Sequence, residues 1–333
     1  MKFRTPFLPL AAGGLLLASV SGADTTSTTR IDPGRVTVSG LSAGGAMANQ
    51  LHISYSDLFS GAGIISGVPF NCAEASLGTA LSRCMGKTDG SLSAEELAGL
   101  LRIAEAEGRI ADLSNLQDDP VWLFHGTLDT VVAAEVSEAL YALYLQLEPA
   151  GQVTYVNDVA AAHHFPGSGQ GHACDESSSP FIGDCDYDAA GEILNTLYPG
   201  LEPANGESVS ELTEVVLPGA AEAGLSETAY LYVPADCQAG EKRCALHLVL
   251  HGCAQSASQV GTAFMEQSGY LPWAEANDIV LAFPQVVPAA ANPFACWDWW
   301  GYTGPDYLWR NGAQMVVLTD WIKQLGSDRA TAD

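Results

Sequence analysis

A serine with a glycine two residues to either side, Gly40-Leu41-Ser42-Ala43-Gly44, is the first group in this chain able to do covalent chemistry. A β-branched run over residues 36–39 leads into it. Small residues at 43–46 then open a helical stretch that continues through Met47, Asn49, Gln50 and Leu51. A serine hydroxyl is a weak nucleophile until a base takes its proton. A sharp strand-to-helix turn would hold the Ser42 hydroxyl in a cleft near a helix N-terminus, and a side chain at either glycine would collide with neighbouring backbone. An ordinary Gly/Ser turn has the same five-residue pattern, so the test is whether a base and its orienting acid lie downstream.

Two stretches meet that test. Residues 120–132 read as an apolar strand that stops at Gly126 and delivers Asp129 just past its C-terminal end, where ligand-facing residues of parallel sheets sit. Alone, a loop aspartate is more often a turn or capping residue. A helical stretch over 133–147 and a strand over 152–156 follow. Then comes the pair His163-His164, again just beyond a strand. Either histidine of the pair could be the base, the other then packing beside it. Serine, aspartate, histidine is also the chain order of α/β-hydrolase triads, so the three residues support one another. His52, His172 and His247 have no motif around them and read as structural or exposed.

The elements that must position these residues are spread along the whole chain. Residues 199–226, rich in Gly, Pro, Glu and Ser, read as a connector. Strands follow near 214–218, 228–234 and 245–253, the last running into His251-Gly252-Cys253. In α/β-hydrolases such a turn supplies a backbone N–H to the oxyanion hole, but it precedes the nucleophile; here it follows. A further strand at 278–284 and an amphipathic helix over 312–325, marked by Val316, Val317, Trp321 and Ile322, close the chain. Such a helix leads into the elbow strand, which in this chain lies at the other end. A circular permutation accounts for the order: residues 326–328 would lie beside 32–35, and 24–333 would be one α/β domain with a mostly parallel sheet flanked by helices. Two separate domains would leave the first half with an incomplete sheet and the second without a nucleophile.

Composition narrows the partners. The 333 residues carry 39 acidic against 13 basic side chains, a net charge of -26, so a phosphate backbone would be repelled and nucleic acid is excluded as a partner. A neutral substrate would be indifferent to that charge. Residues 1–23 read as an export signal: Lys2 and Arg4, an apolar run through Leu17, then Ser21-Gly22-Ala23 at a cleavage site. No later stretch approaches the ~20 apolar residues of a membrane helix, so no membrane partner is expected. In an exported chain, eight cysteines point to disulfides, and sequence proximity pairs Cys72 with Cys84, Cys174 with Cys185 and Cys237 with Cys244, leaving Cys253 with Cys296. His172, Cys174 and Cys185 lack zinc-type spacing, so no metal is expected.

Taken together, Gly40-Leu41-Ser42-Ala43-Gly44-Gly45, His125-Gly126-Thr127-Leu128-Asp129, His163-His164-Phe165-Pro166, Leu250-His251-Gly252-Cys253 and Cys296-Trp297-Asp298-Trp299-Trp300 resemble the secreted, single-domain poly(3-hydroxybutyrate) depolymerases. The resemblance spans nearly the whole chain after residue 23. It implies Ser42 as nucleophile, Asp129 as orienting acid and the amides of Ala43 and Cys253 as oxyanion donors. The family histidine lies two residues before an aromatic followed by proline, which selects His163 over His164. The implied reaction is hydrolysis of a solid or oligomeric polyester through an acyl-enzyme, by a monomer needing no cofactor, outside the cell or in a periplasm. No linker or separate polymer-binding domain is recognisable. Within the aromatic cluster 297–309, Trp297 reads as a core anchor, and Trp299 and Trp309 as an apolar wall for the substrate. Two rivals remain: a carboxylesterase for acetyl or feruloyl groups of polysaccharides or small soluble esters, and a non-catalytic polymer-binding protein.

Overall fold

A computed structural model of the chain describes Met1 and residues 29–86, 92–147, 152–204 and 210–327. Apart from Met1, the expected export signal therefore lies outside the described residues. Among the described residues eleven strands are present in chain order: β1 (Arg30–Leu41), β2 (Ala62–Ile65), β3 (Val121–Phe124), β4 (Val153–Val156), β5 (Phe165–Gly167), β6 (His172–Ala173), β7 (Ile182–Asp184), β8 (Leu212–Val216), β9 (Thr228–Tyr232), β10 (Arg243–Leu250) and β11 (Ile279–Phe283). Eight of them form one sheet in the order β4-β3-β2-β1-β10-β11-β9-β8. Only the β9 pairings, with β11 and β8, are antiparallel.

β1 sits near the middle of this sheet, and its two neighbours come from opposite ends of the chain: β2 on one side and β10 on the other, both parallel to it. The α/β-hydrolase fold is thus assembled in permuted order. The helix Ala313–Gly326 packs on β1, and Leu325 lines one small hollow with Thr29 and Ile31. The first and last described stretches are therefore neighbours, as a permuted order requires.

Strand alternation sends side chains to two cores. Val36, Val38, Leu246, Leu248 and Leu250 face a core shared with the helices Ala43–Ser54, Ala134–Leu147 and Ala313–Gly326. Leu41, Ala245 and Val249 belong to the other, with the helices Ala189–Leu197 and Tyr270–Asn277. Polar residues are buried beside that second core. His247 bonds the Thr37 hydroxyl through Nδ1 at 2.7 Å and the Ser39 hydroxyl through Nε2 at 2.8 Å, clamping β10 to the elbow strand.

One local expectation is corrected. The apolar run 120–132 is strand only as far as Phe124; the His125 N–H still donates to Val156, and Asp129 follows in the loop. A Cβ on Gly126 would stand 2.1 Å from the Ala161 carbonyl, so this loop passes directly against the segment leading to His163. Between β2 and β3 the helical pieces are separate: Leu77–Thr79 running into Ala80–Met85, then Ala94–Ala106 and Leu113–Asp118. The unforeseen β5, β6 and β7 form a second sheet in the order β5-β7-β6. Strands of two or three residues carry too little alternation to be read in advance.

Candidate active site

β1 ends at Leu41, and Ser42 turns the chain into the helix Ala43–Ser54 with φ 57° and ψ -117°. A non-glycine residue holds such angles only where its surroundings impose them. Here the Ser42 N–H donates to the Ile65 carbonyl at 2.8 Å, and the two glycines allow the backbone to close in. A Cβ on Gly40 would lie 2.3 Å from the Gly44 carbonyl group, and one on Gly44 would lie 2.3 Å from the Leu250 oxygen. The tight packing of elbow, helix and β10 thus excludes any side chain at either position.

His163 Nε2 lies 2.9 Å from Ser42 Oγ, and its Nδ1 lies 2.7 Å from Asp129 Oδ2. Asp129 accepts three further hydrogen bonds, from the Ser66 hydroxyl at 2.7 Å and from the amides of Val131 at 2.8 Å and Val132 at 3.0 Å. Burial alone would push its pKa up. The His163 hydrogen bond and charge, the Val132 amide and the Ser66 hydroxyl outweigh burial and hold it at about 2. Asp129 is therefore a carboxylate at neutral pH, holding Nδ1 protonated and leaving Nε2 as the acceptor facing the serine.

His164 turns the other way. Its Nδ1–H donates to the Glu176 carbonyl at 3.0 Å and its Nε2 lies 3.3 Å from Cys185 Sγ; burial lowers its pKa and keeps the ring neutral. The structure brings His163, and not His164, to the serine. His172 meets the Ser179 carbonyl at 2.7 Å. The sulfurs of Cys174 and Cys185 are bonded to each other and offer no thiolate to a metal. The other bridges are Cys72–Cys84, Cys237–Cys244 and Cys253–Cys296.

The turn after β10 is tied down on every side. His251 Nδ1–H donates to the Gly252 carbonyl at 2.7 Å, while its Nε2 accepts from the Val286 amide at 3.2 Å. Trp297 Nε1–H donates to the His251 carbonyl at 3.0 Å. Gln255, fully buried, accepts from the Gly252 amide at 2.7 Å and donates to the carbonyls of Pro180 at 2.8 Å and Phe181 at 3.0 Å. Cys253 is further fixed through its bridge to Cys296. Sequence motifs pointed to Cys253 but not to Gln255, whose part depends on contacts with a loop 75 residues away.

Ser42, Ala43, His163 and Cys253 all line one cleft of ≈ 570 Å³. Ala43 opens a helix, where the first N–H groups lack intrahelical acceptors and the helix dipole favours negative charge. The walls are apolar: Leu77, Leu81 and Met85 on one stretch, Pro293 and Phe294 on another, with Trp299 and Trp300 also in the lining. Trp309 is not among them, which corrects the expected aromatic wall. It packs on Phe70, and the Arg109 guanidinium sits 4.1 Å from its ring centre. Trp300 takes its place beside Trp299, edge to face at 5.5 Å. Trp297 is a fully buried anchor.

Known proteins fit this arrangement. Residues 9–162 match the family model described as Esterase PHB depolymerase. A poly(3-hydroxybutyrate) depolymerase of Delftia acidovorans is 38% identical over 96% of this chain, which spans 66% of that protein's length. A polyhydroxybutyrate depolymerase of Talaromyces funiculosus is 34% identical, with 89% of this chain and 91% of that protein covered. A solved PHB depolymerase complexed with an R3HB trimer superposes with a TM-score of 0.84 at 32% identity, over 91% of this chain and 99% of the other. An elbow serine backed by a buried histidine–carboxylate pair on a permuted sheet, and identity of this extent along nearly the full length of one relative, lead to one conclusion: the chain belongs to the PHB depolymerase family of esterases.

Proposed function

We propose that this chain is a serine esterase that hydrolyses poly(3-hydroxybutyrate) to 3-hydroxybutyrate oligomers or monomers. The observation that carries the reading is the unbroken Ser42–His163–Asp129 relay, whose serine and histidine line an apolar cleft, in a chain whose relatives are named for that polymer. His163 Nε2 takes the Ser42 proton as Oγ attacks an ester carbonyl. The amides of Ala43 and Cys253 receive the oxyanion, each such donor contributing ~3 kcal/mol in comparable sites. The alkoxy group leaves with the proton from His163, and an acyl-Ser42 ester remains. Water activated by the same imidazole then releases the acid and restores the serine. Apart from that water, the nucleophile, base and oxyanion donors of these steps are all groups of the chain.

The four disulfides support an oxidising compartment for the working protein, and no helix among the described residues is long and apolar enough to cross a membrane. With residues 1–23 read as a leader, the enzyme acts after export, as a monomer on polyester outside the cytoplasm. The test is a turbid poly(3-hydroxybutyrate) suspension. Wild type is expected to clear it and Ser42→Ala to leave it turbid at equal adsorption; adsorption by both without clearing would leave only a binding protein. Activity confined to acetyl or feruloyl esters would move the substrate to polysaccharide decoration.

A further inference from the structure

One dipeptide outside the triad touches both of its ends. Ile65, the last residue of β2, accepts the Ser42 N–H at 2.8 Å, and the next residue, Ser66, donates its hydroxyl to Asp129 Oδ2 at 2.7 Å. That oxygen is also the partner of His163 Nδ1. Ser66 is held for this contact: its N–H donates to the Phe124 carbonyl at 2.8 Å, its φ is 47°, and it is buried on the cleft wall. A serine at a positive φ costs backbone energy that a glycine would not, so nothing in the turn itself calls for a hydroxyl there.

We propose that Ser66 is a positioning residue of the esterase relay, its hydroxyl pinning Asp129 Oδ2 and withdrawing part of that oxygen's charge from His163. The proposal rests on the relay reading above and adds a fourth side chain to it. Two donors share one carboxylate oxygen, so Asp129 is held in line with His163 Nδ1 while less of its charge reaches the imidazole than from an unshared carboxylate. The other titratable groups facing the pair are fixed. His164 is neutral on Glu176, and His125 bonds the Val132 carbonyl at 3.0 Å in the loop that carries Asp129.

The experiment compares wild type, Ser66→Ala and Ser66→Gly on a short, soluble p-nitrophenyl ester, with Ser42 titrated by an organophosphate to count correctly folded sites. Both variants lose the hydroxyl, but glycine relaxes the backbone and alanine does not. The expected result is the same in both: the acid limb of kcat/KM moves to higher pH by ~0.5 unit and kcat falls roughly threefold to tenfold at constant KM. An unmoved limb, a limb moved to lower pH, or a shift in alanine that glycine abolishes would each overturn the proposal, the last by assigning the effect to the backbone. The soluble ester keeps this test separate from the polymer: a wild type that cannot clear polyester but hydrolyses the ester still decides the role of Ser66. A wild type inert to both ester and organophosphate would remove the relay and Ser66 together.

Discussion

Asp129 has two tasks that a neutral isostere cannot share: it holds the His163 tautomer and it balances the imidazolium. Asp129→Asn presents an amide to Nδ1, favouring the tautomer with the proton on Nε2, so kcat on a soluble ester is expected to fall ~10⁴-fold with KM little changed. Steady-state kinetics on titrated enzyme check this. The same residues show what a sequence can display. Ser42, Asp129 and His163 were legible because an elbow needs small neighbours and because strand ends deliver loops to one edge of a parallel sheet. Ser66 was not, since a serine before Gly67 and Pro69 looks like any strand-ending turn. Its meaning appears only when Asp129 is in place across from it. Trp309 failed for a related reason: the density of aromatics says that a loop is anchored, but not which ring faces the cleft. The corrected assignment predicts that Trp300→Ala raises KM for soluble hydroxybutyrate oligomers, besides the stability any large buried ring loses on truncation. Trp309→Ala, by contrast, should lower stability by roughly 3 kcal/mol with KM unchanged, because it opens a hole beside Phe70 and Arg109.

Elements meet at the elbow with no slack. The helix Ala43–Ser54 crosses β10 so closely that a methyl on Gly44 would stand 2.3 Å from one carbonyl oxygen and 2.5 Å from the next, in Leu250 and His251. Gly44→Ala should therefore destabilise the fold by ~3 kcal/mol or more, read as a lower urea midpoint, and should push the helix away from the turn that carries Cys253. The oxyanion turn depends in the same way on Gln255, which spans from the Gly252 amide to the carbonyls of Pro180 and of the cleft residue Phe181. Gln255→Leu strands a buried N–H at a cost of about 1–3 kcal/mol, and kcat should drop more than KM rises. The large elements themselves were readable from alternation and helical period. The small β5-β7-β6 sheet behind His163 was not, because its shape follows from the Cys174–Cys185 bridge and from contacts made only after the chain folds.

For the whole molecule, two fully buried histidines weaken the fold in acid. Burial lowers His247 from 6.5 to about 3 and His251 from 6.5 to about 4, so both are neutral in the fold. The unfolded chain takes up their protons near 6.5. Stability is therefore fully present above that pH and is lost on acidification, by about 1.4 kcal/mol per pH unit for each histidine. The His251 contribution flattens near pH 4 and the His247 contribution near pH 3. Urea unfolding between pH 7 and 4 should show this slope, and His247→Gln should lessen it. The permuted order was legible because an elbow stood at one end and the helix that should lead into it at the other. A linker from residue 327 to residue 29, with new ends opened at exposed Gly200, is expected to leave fold and ester hydrolysis intact, measured by circular dichroism and kcat.

The central place of β1 also has a consequence in time. Its flank on the β10 side stays bare until residue 250 has been made, and the nucleophile's turn rests against that late strand. A ribosome must therefore deliver about three quarters of the polypeptide before the serine acquires its strained backbone. Any shorter product, whether stalled or clipped, carries the hydroxyl without the means to use it.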